Sequence, residues 1–198
     1  MTGTRLPFFA SFRHESYSRD TSKRIRRSHR NRFVQGGVFQ CEIYGYIKPH
    51  AKASDSEVYK DPDAEPIYET WFSMLESGHS YQDVANWLND NNVSTGPHCR
   101  QTEWDGKMVS RITHNSMLKG ERRRNDRVTV RVNQTGRSKT VPAPDDEKLT
   151  RQVPALAFIE PERYDRVIRM LAKKNAKYKR SETVRNDPRA GIPKRQTR

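Results

Sequence analysis

The chain has 198 residues, enough for one domain with an appended arm or tail, and a hydrophobic content of 32% with a mean hydropathy of −1.06 implies a modest core under much solvated surface. Lys and Arg outnumber Asp and Glu by 38 to 24, a net charge of +14 that favours polyanionic partners and argues against an acidic or membrane-buried protein. The apolar stretch Leu6–Ala10 is too short for a membrane span or a signal-peptide core, and Cys41 and Cys99 form no CxxC pair, so the sequence reads as a cytoplasmic protein with free thiols and no structural zinc.

Charge is segregated along the chain. Residues 1–52 carry 11 Lys/Arg against 3 Asp/Glu, residues 53–95 carry 1 against 9, residues 96–140 carry 11 against 4, and residues 141–198 carry 15 against 8. An acidic block between basic blocks implies one face turned away from nucleic acid and others turned toward it.

Residues 1–14 read as a disordered N-terminus and residues 15–37 as a basic linker helix. Arg24, Arg26, Arg27, Arg30 and Arg32 crowd that helix, and Gly36-Gly37 supplies its stop. Its apolar content (Tyr17, Ile25, Phe33, Val34) is too thin for a helix stable by itself, so it needs protein or DNA as a partner; the alternative is a solvated arm. Residues 38–47 are rich in aromatic and β-branched side chains and suit a short extended segment.

The clearest helix spans about 62–77. Asp61 is placed as its N-cap and Pro62 in its first turn, and Ala64, Ile67, Tyr68, Trp71, Phe72 and Leu75 form one apolar stripe. After Gly78, Ser80 caps a second helix, with Asp83 at the capping-box position and Val84, Ala85 and Leu88 facing inward. Two short helices joined this way have the pattern of a helix-turn-helix start, though also of any helical hairpin. Beyond a polar connection, Asp105 caps a third helix over 106–117. Met108, Val109 and Ile112 face inward there, while Lys107, Ser110, Arg111, His114 and Asn115 face outward. Those outward types hydrogen-bond base edges and phosphates, and the helix is followed by Lys119 and the run Arg122, Arg123, Arg124.

Residues 127–141 alternate like a β-hairpin around a turn at 133–136, with Val128, Val130 and Val132 on one face. A last helix over about 161–180 carries Tyr164, Val167, Ile168 and Leu171 as its stripe, preceded by an apolar segment at 154–159. Residues 181–198 read as a disordered basic tail. No GxGxxG, Walker A, HExxH or GxSxG motif occurs, and the six histidines lack metal-ligand spacing. No catalytic residue, cofactor or metal is assigned, and no small-molecule substrate is implied.

Several of these features stand in the order found in a known family. Ser18-Arg19-Asp20, Lys23-Arg24-Ile25-Arg26-Arg27, Gly36-Gly37 and Tyr44-Gly45-Tyr46 come first. Ile67-Tyr68-Glu69, Gly78 to Leu88-Asn89, Trp104 with Val109, Ile112, Asn115 and Gly120, and Pro154-Ala155-Leu156 with Ile159 follow. Over roughly residues 16–180 this pattern resembles the large serine recombinases, where the end of a long catalytic-domain helix meets the first DNA-binding domain, called the recombinase domain. The resemblance implies a mainly α fold with small β additions: a helix-turn-helix-like recombinase domain over 38–180, with an N-terminal basic helix and a β-hairpin insertion. It implies sequence-specific binding of double-stranded DNA in site-specific recombination and integration by a mobile element, near the nucleoid. The family cleaves DNA through a serine in an N-terminal domain, and usually has a zinc ribbon after the recombinase domain. Neither is found here, so the expectation is a truncated or split gene product that is not an enzyme on its own. Pairing with a recombinase catalytic subunit or with itself as a dimer, and a remnant without function, are the alternatives.

Overall fold

A computed structural model describes residues 6–38, 43–96, 99–131 and 138–176. It is mainly helical with small antiparallel sheets. Helix α1 runs from Leu6 to Val34, so the segment 6–14, expected to be unordered, extends the helix toward the N-terminus. It stops where expected. Gly36 takes φ +93°, a left-handed conformation that costs glycine little, and Gly37 N–H returns to the Arg32 carbonyl at 2.9 Å. Of its apolar residues, Phe33 is buried, whereas Tyr17, Ile25 and Val34 are exposed.

The chain then makes a two-stranded ladder, β1 (Tyr46–Ile47) with β2 (Tyr59–Lys60). The aromatic segment expected over 38–47 is described only in part, residues 39–42 lying outside the described residues. Its aromatics are used for packing: Tyr68 Oη donates to the Tyr44 carbonyl at 2.7 Å, and buried Tyr46 Oη lies 2.9 and 2.8 Å from the Met117 and Leu156 carbonyls.

Helix α2 (Ala64–Glu76) and helix α3 (Tyr81–Asp90) follow the sequence periodicity closely. Ala64, Tyr68, Trp71, Phe72 and Leu75 are buried on α2, and Val84, Ala85 and Leu88 on α3. Asp63 rather than Asp61 stands at the N-cap of α2 and makes no side-chain cap bond; the Asp61 carboxylate accepts the Asp63 N–H instead, in the turn before the helix. Ser80 and Asp83 form a complete capping box on α3, with bonds of 3.2 and 2.7 Å.

Helix α4 (Gly106–Thr113) is shorter than expected. The chain leaves the α conformation at His114 because Asn115 caps a separate 3-10 turn, Ser116–Lys119, by accepting the Met117 N–H at 3.0 Å. The Ser116 hydroxyl donates to the Glu121 carbonyl at 2.7 Å in a buried position, which holds that break in place. Strand β3 (Glu121–Arg124) pairs with β6 (Leu149–Gln152), and between them β4 (Arg127–Arg131) pairs with β5 (Ser138–Pro142) as the expected hairpin. The hairpin turn and Val132 lie outside the described residues, and Val130 is 42% exposed, so the valine row is not a core face. Helix α5 (Pro161–Ala176) closes the core through Tyr164, Val167 and Leu171; the expected stretch 177–198 lies outside the described residues.

The core gathers α2, α3, α4 and α5 with Trp104, Leu118, Leu156 and Ile159. Arg163 on α5 bonds Glu69 at 2.6 Å and Glu76 at 2.9 Å, tying α5 to the acidic face of α2; the Arg163 hydrogen bond holds the Glu76 carboxyl below its usual range. At the centre, Trp71 Nε1 donates to Thr113 Oγ1 at 3.0 Å, and Thr113 Oγ1 donates to the Val109 carbonyl at 2.8 Å, all three residues being fully buried. Thr113→Val keeps the shape but leaves the indole N–H without an acceptor. The expected loss is about 1–3 kcal/mol of stability, read from urea unfolding.

Candidate nucleic-acid interface

Helix α4 is strongly two-sided because its eight residues divide cleanly. Met108, Val109, Ile112 and Thr113 are buried, while Lys107 and Arg111 are exposed and Ser110 is half-buried between them. His114, at the C-cap, is exposed and sets Nδ1 2.8 Å from the Ser110 carbonyl. The N-terminus of α4 is held twice. Asp105 accepts the Met108 N–H at 2.6 Å, and Gln82 Oε1 accepts the Gly106 N–H at 3.2 Å. A Cβ at position 106 would lie 3.1 Å from Gln82 Oε1 and 3.3 Å from Gln82 N, so glycine there lets the first turns of α3 and α4 approach closely.

That approach creates a shallow groove lined by Tyr81, Gln82, Lys107, Ser110 and Arg111. The sequence reading did not single out Gln82 or Asn86. Both are exposed on α3, and Gln82 Nε2 donates to Asn86 Oδ1 at 3.0 Å, so a paired amide row lies beside the cations of α4. The available signal was their i, i+4 spacing on the polar face of α3. Tyr81 packs edge-on to His114, and burial pushes its phenol pKa up, which keeps it a neutral hydroxyl. Arg111 also borders a polar cleft with His114, Asn115, Arg123 and Asp126, so it sits between two concave surfaces.

The other expected contact residues divide into two groups. On α1, Arg24, Arg26, Arg27 and Arg30 are exposed and make no ion pair among the described residues. Arg32 is half-buried and bonds the Ala51 carbonyl at 3.1 Å, so it braces the helix end. Of the cations after α4, Lys119, Arg122 and Arg124 are drawn into the fold, against the reading of that run as a phosphate clamp, whereas Arg123 stays exposed. Arg122 is 6% exposed and pairs with Asp55. Lys119 pairs with Asp165 at 3.0 Å and Glu121 at 3.5 Å, over the Tyr164 ring. Arg123 pairs with Glu121. Burial pushes the Glu121 carboxyl up, but the Arg123 hydrogen bond and charge outweigh it and hold the group below its usual range. Arg124 bonds His29 at 2.8 Å. Asn115 spends its carbonyl on the 3-10 cap and is half-buried, so it is not an outward reading residue of α4. For Arg122 and Arg124 the reason is that β3 pairs with β6 and turns these side chains against the 50–58 segment and α1, a partnership that local sequence does not announce.

Among the described residues no group of three or more His, Cys, Asp or Glu is placed to hold a metal ion, and no helix is long and apolar enough to cross a membrane.

The sequence profile of the Recombinase family matches residues 62–174, more than half of the chain. The chain belongs to the Recombinase family. The match opens just before α2 and ends inside α5, so it covers α2, α3, α4, most of α5 and the β3–β6 and β4–β5 ladders, and leaves the β1–β2 ladder outside. It leaves α1 and the Tyr44–Tyr46 segment outside, although those residues carried part of the resemblance. The domain is the one associated with serine recombinases and connects the chain with DNA recombination. No curated protein matches the chain.

Asp105→Ala removes a side-chain cap from the exposed two-sided helix of the recombinase domain. It is expected to cost about 0.5–2 kcal/mol in chemical denaturation, with faster amide exchange confined to the first turn of α4.

Proposed function

We propose that this chain binds double-stranded DNA sequence-specifically, as the DNA-binding part of a site-specific serine recombinase. In this reading α3 and α4 act as a helix-turn-helix-like pair with an enlarged connection, and α4 enters the major groove. Arg111 and Lys107 meet base edges and phosphates, His114 and Ser110 flank them, and the exposed arginines of α1 hold the phosphate backbone. The observation that carries it is the division of α4: its apolar half completes the core, and its cationic half stands outward beside the Gln82–Asn86 amides. Family membership supports the same direction, since recombination acts on DNA. The DNA-binding unit is assigned to residues 38–180, with α1 as its basic linker helix. Strand cleavage is not assigned to this chain, and purified protein is expected to bind a duplex without nicking it. Residence with the nucleoid follows from the same reading.

A second reading has one observation in its favour. Tyr17 (74% exposed) and Ile25 (50% exposed) lie two turns apart on the same side of α1, an apolar row suited to another helix. In that reading α1 pairs with a recombinase catalytic subunit or with a second copy, and sedimentation of the purified chain without DNA reads the second case directly.

The DNA reading is tested by salt and by substitution. If about four cations each displace a counterion, the affinity falls roughly a hundredfold between about 50 and 200 mM salt. A flat salt response defeats the reading. Arg111→Ala is expected to relax preference at one base pair by about 1–3 kcal/mol, whereas Arg27→Ala weakens all sequences alike and lowers the salt slope by about 1. Lys119→Ala, by contrast, leaves the salt slope unchanged.

A further inference from the structure

The exposed cations of α1 and those of α4 belong to different parts of the chain, and from residue 20 onward α1 meets the body at its C-terminal end. Apart from Thr21, every residue from 20 to 28 on α1 is exposed; contacts with the body begin at His29 and Phe33. That end is clamped from three segments at once. Arg151, on β6, donates to the Phe33 carbonyl and, at 3.3 Å, to the Gly36 carbonyl, adding a second donor to two acceptors at the helix C-terminus that also take the Gly36 and Asp55 N–H groups. Its guanidinium carbon lies 4.6 Å from the centre of the Phe33 ring. The same guanidinium pairs with Asp55, whose other carboxylate oxygen is held by Arg122. Asp55 N–H donates to the Gly36 carbonyl at 2.9 Å, closing the arrangement on the helix stop. Asp55, Arg122 and Arg151 side chains are only 11%, 6% and 18% exposed.

We infer that Arg151, backed by Asp55, is a positioning residue that fixes the angle of α1 and thereby the spacing on DNA between the phosphate-holding helix and the reading helix α4. The inference rests on the DNA reading above and adds a geometric requirement to it. Leverage is the physical reason. Arg24, the outermost of the phosphate-holding arginines, lies ten residues or about 15 Å from the end of α1, so about 25° of slack at the joint moves it by about 7 Å. That displacement is about two base steps of duplex. A latch made of a planar fork that hydrogen-bonds two carbonyls and pairs by charge with a carboxylate resists such rotation in a way that a flexible lysine or an apolar contact does not. Arg151 touches no DNA in this scheme; it acts through α1.

The test uses the full chain with Cys41→Ser and Cys99→Ser and spin labels on Ser22→Cys and Glu162→Cys. With Arg151 present the label distance is expected to be narrowly distributed. Arg151→Met, which retains the aliphatic stem and leaves Asp55 paired with Arg122, is expected to broaden it while near-UV circular dichroism of the body is kept. Arg151→Lys is the second variant, expected to be intermediate. On a selected duplex, inserting about two base pairs between the footprints of α1 and α4 is expected to weaken the parent protein roughly tenfold or more, because two linked contacts then cannot engage together, and to leave Arg151→Met almost unaffected. A distance distribution equally narrow in Arg151→Met, or an unchanged insertion penalty in that variant, overturns the inference. Absence of any duplex binding by the parent, with its narrow distance intact, overturns the DNA reading and with it the role of the latch, and is told apart by that distance.

Discussion

Trp71 is the residue on which the helical core turns. Its ring is fully buried and packs against Tyr68 and Trp104, and its indole N–H reaches across from α2 to the hydroxyl of Thr113 at the end of α4. Dry burial of an indole is favourable only with its donor satisfied, so this bond fixes which turn of α4 meets α2. Once Thr113 is inside, the helical period places Val109 and Ile112 inside with it and turns Lys107 and Arg111 outward. The presentation of the cationic face is therefore a consequence of the core.

Charge in this chain has two uses that composition does not separate. One set of cations is folded inward against carboxylates: Arg122 with Asp55, Lys119 with Asp165 and Glu121, and Arg163 with Glu69 and Glu76. Where these pairs are mostly buried, each partner needs the other, because a lone buried charge is far costlier than the pair. The other set, on the outer stretch of α1 and the outward side of α4, remains exposed and available to a polyanion. Three carboxylates of the acidic block of residues 53–95 thus tie distant segments together: Asp55 holds the β3 and β6 arginines beside the end of α1, and Glu69 and Glu76 hold α5.

The 62–90 helices were legible because apolar residues recur at helical spacing and Gly78 with Ser80 punctuates them; α3 even carries the expected capping box. The hairpin over 127–142 was legible from alternation. The ladder of β3 with β6 was not, since Glu121–Arg124 and Leu149–Gln152 lack alternation and pair across an intervening hairpin. That omission explains why the sequence placed Arg122 and Arg124 on the outside. The shortening of α4 escaped notice for a different reason: Asn115 is compatible with a helix end or interior by type, and only its bond to Met117 N–H and the buried Ser116 hydroxyl select the break.

By itself the sequence determined the helical character of the chain, the inward stripes of α2 and α3, the stop of α1 at Gly36, and the kinship with recombinases, because these depend on residues near one another or on ordered local motifs. Tertiary structure alone decided which basic residues face solvent, that Gln82 and Asn86 lie beside the cationic side of α4, and that Arg151 grips the end of α1. Those outcomes depend on pairings between segments far apart in the chain, where a charged side chain goes inward only if a distant carboxylate or carbonyl is waiting for it.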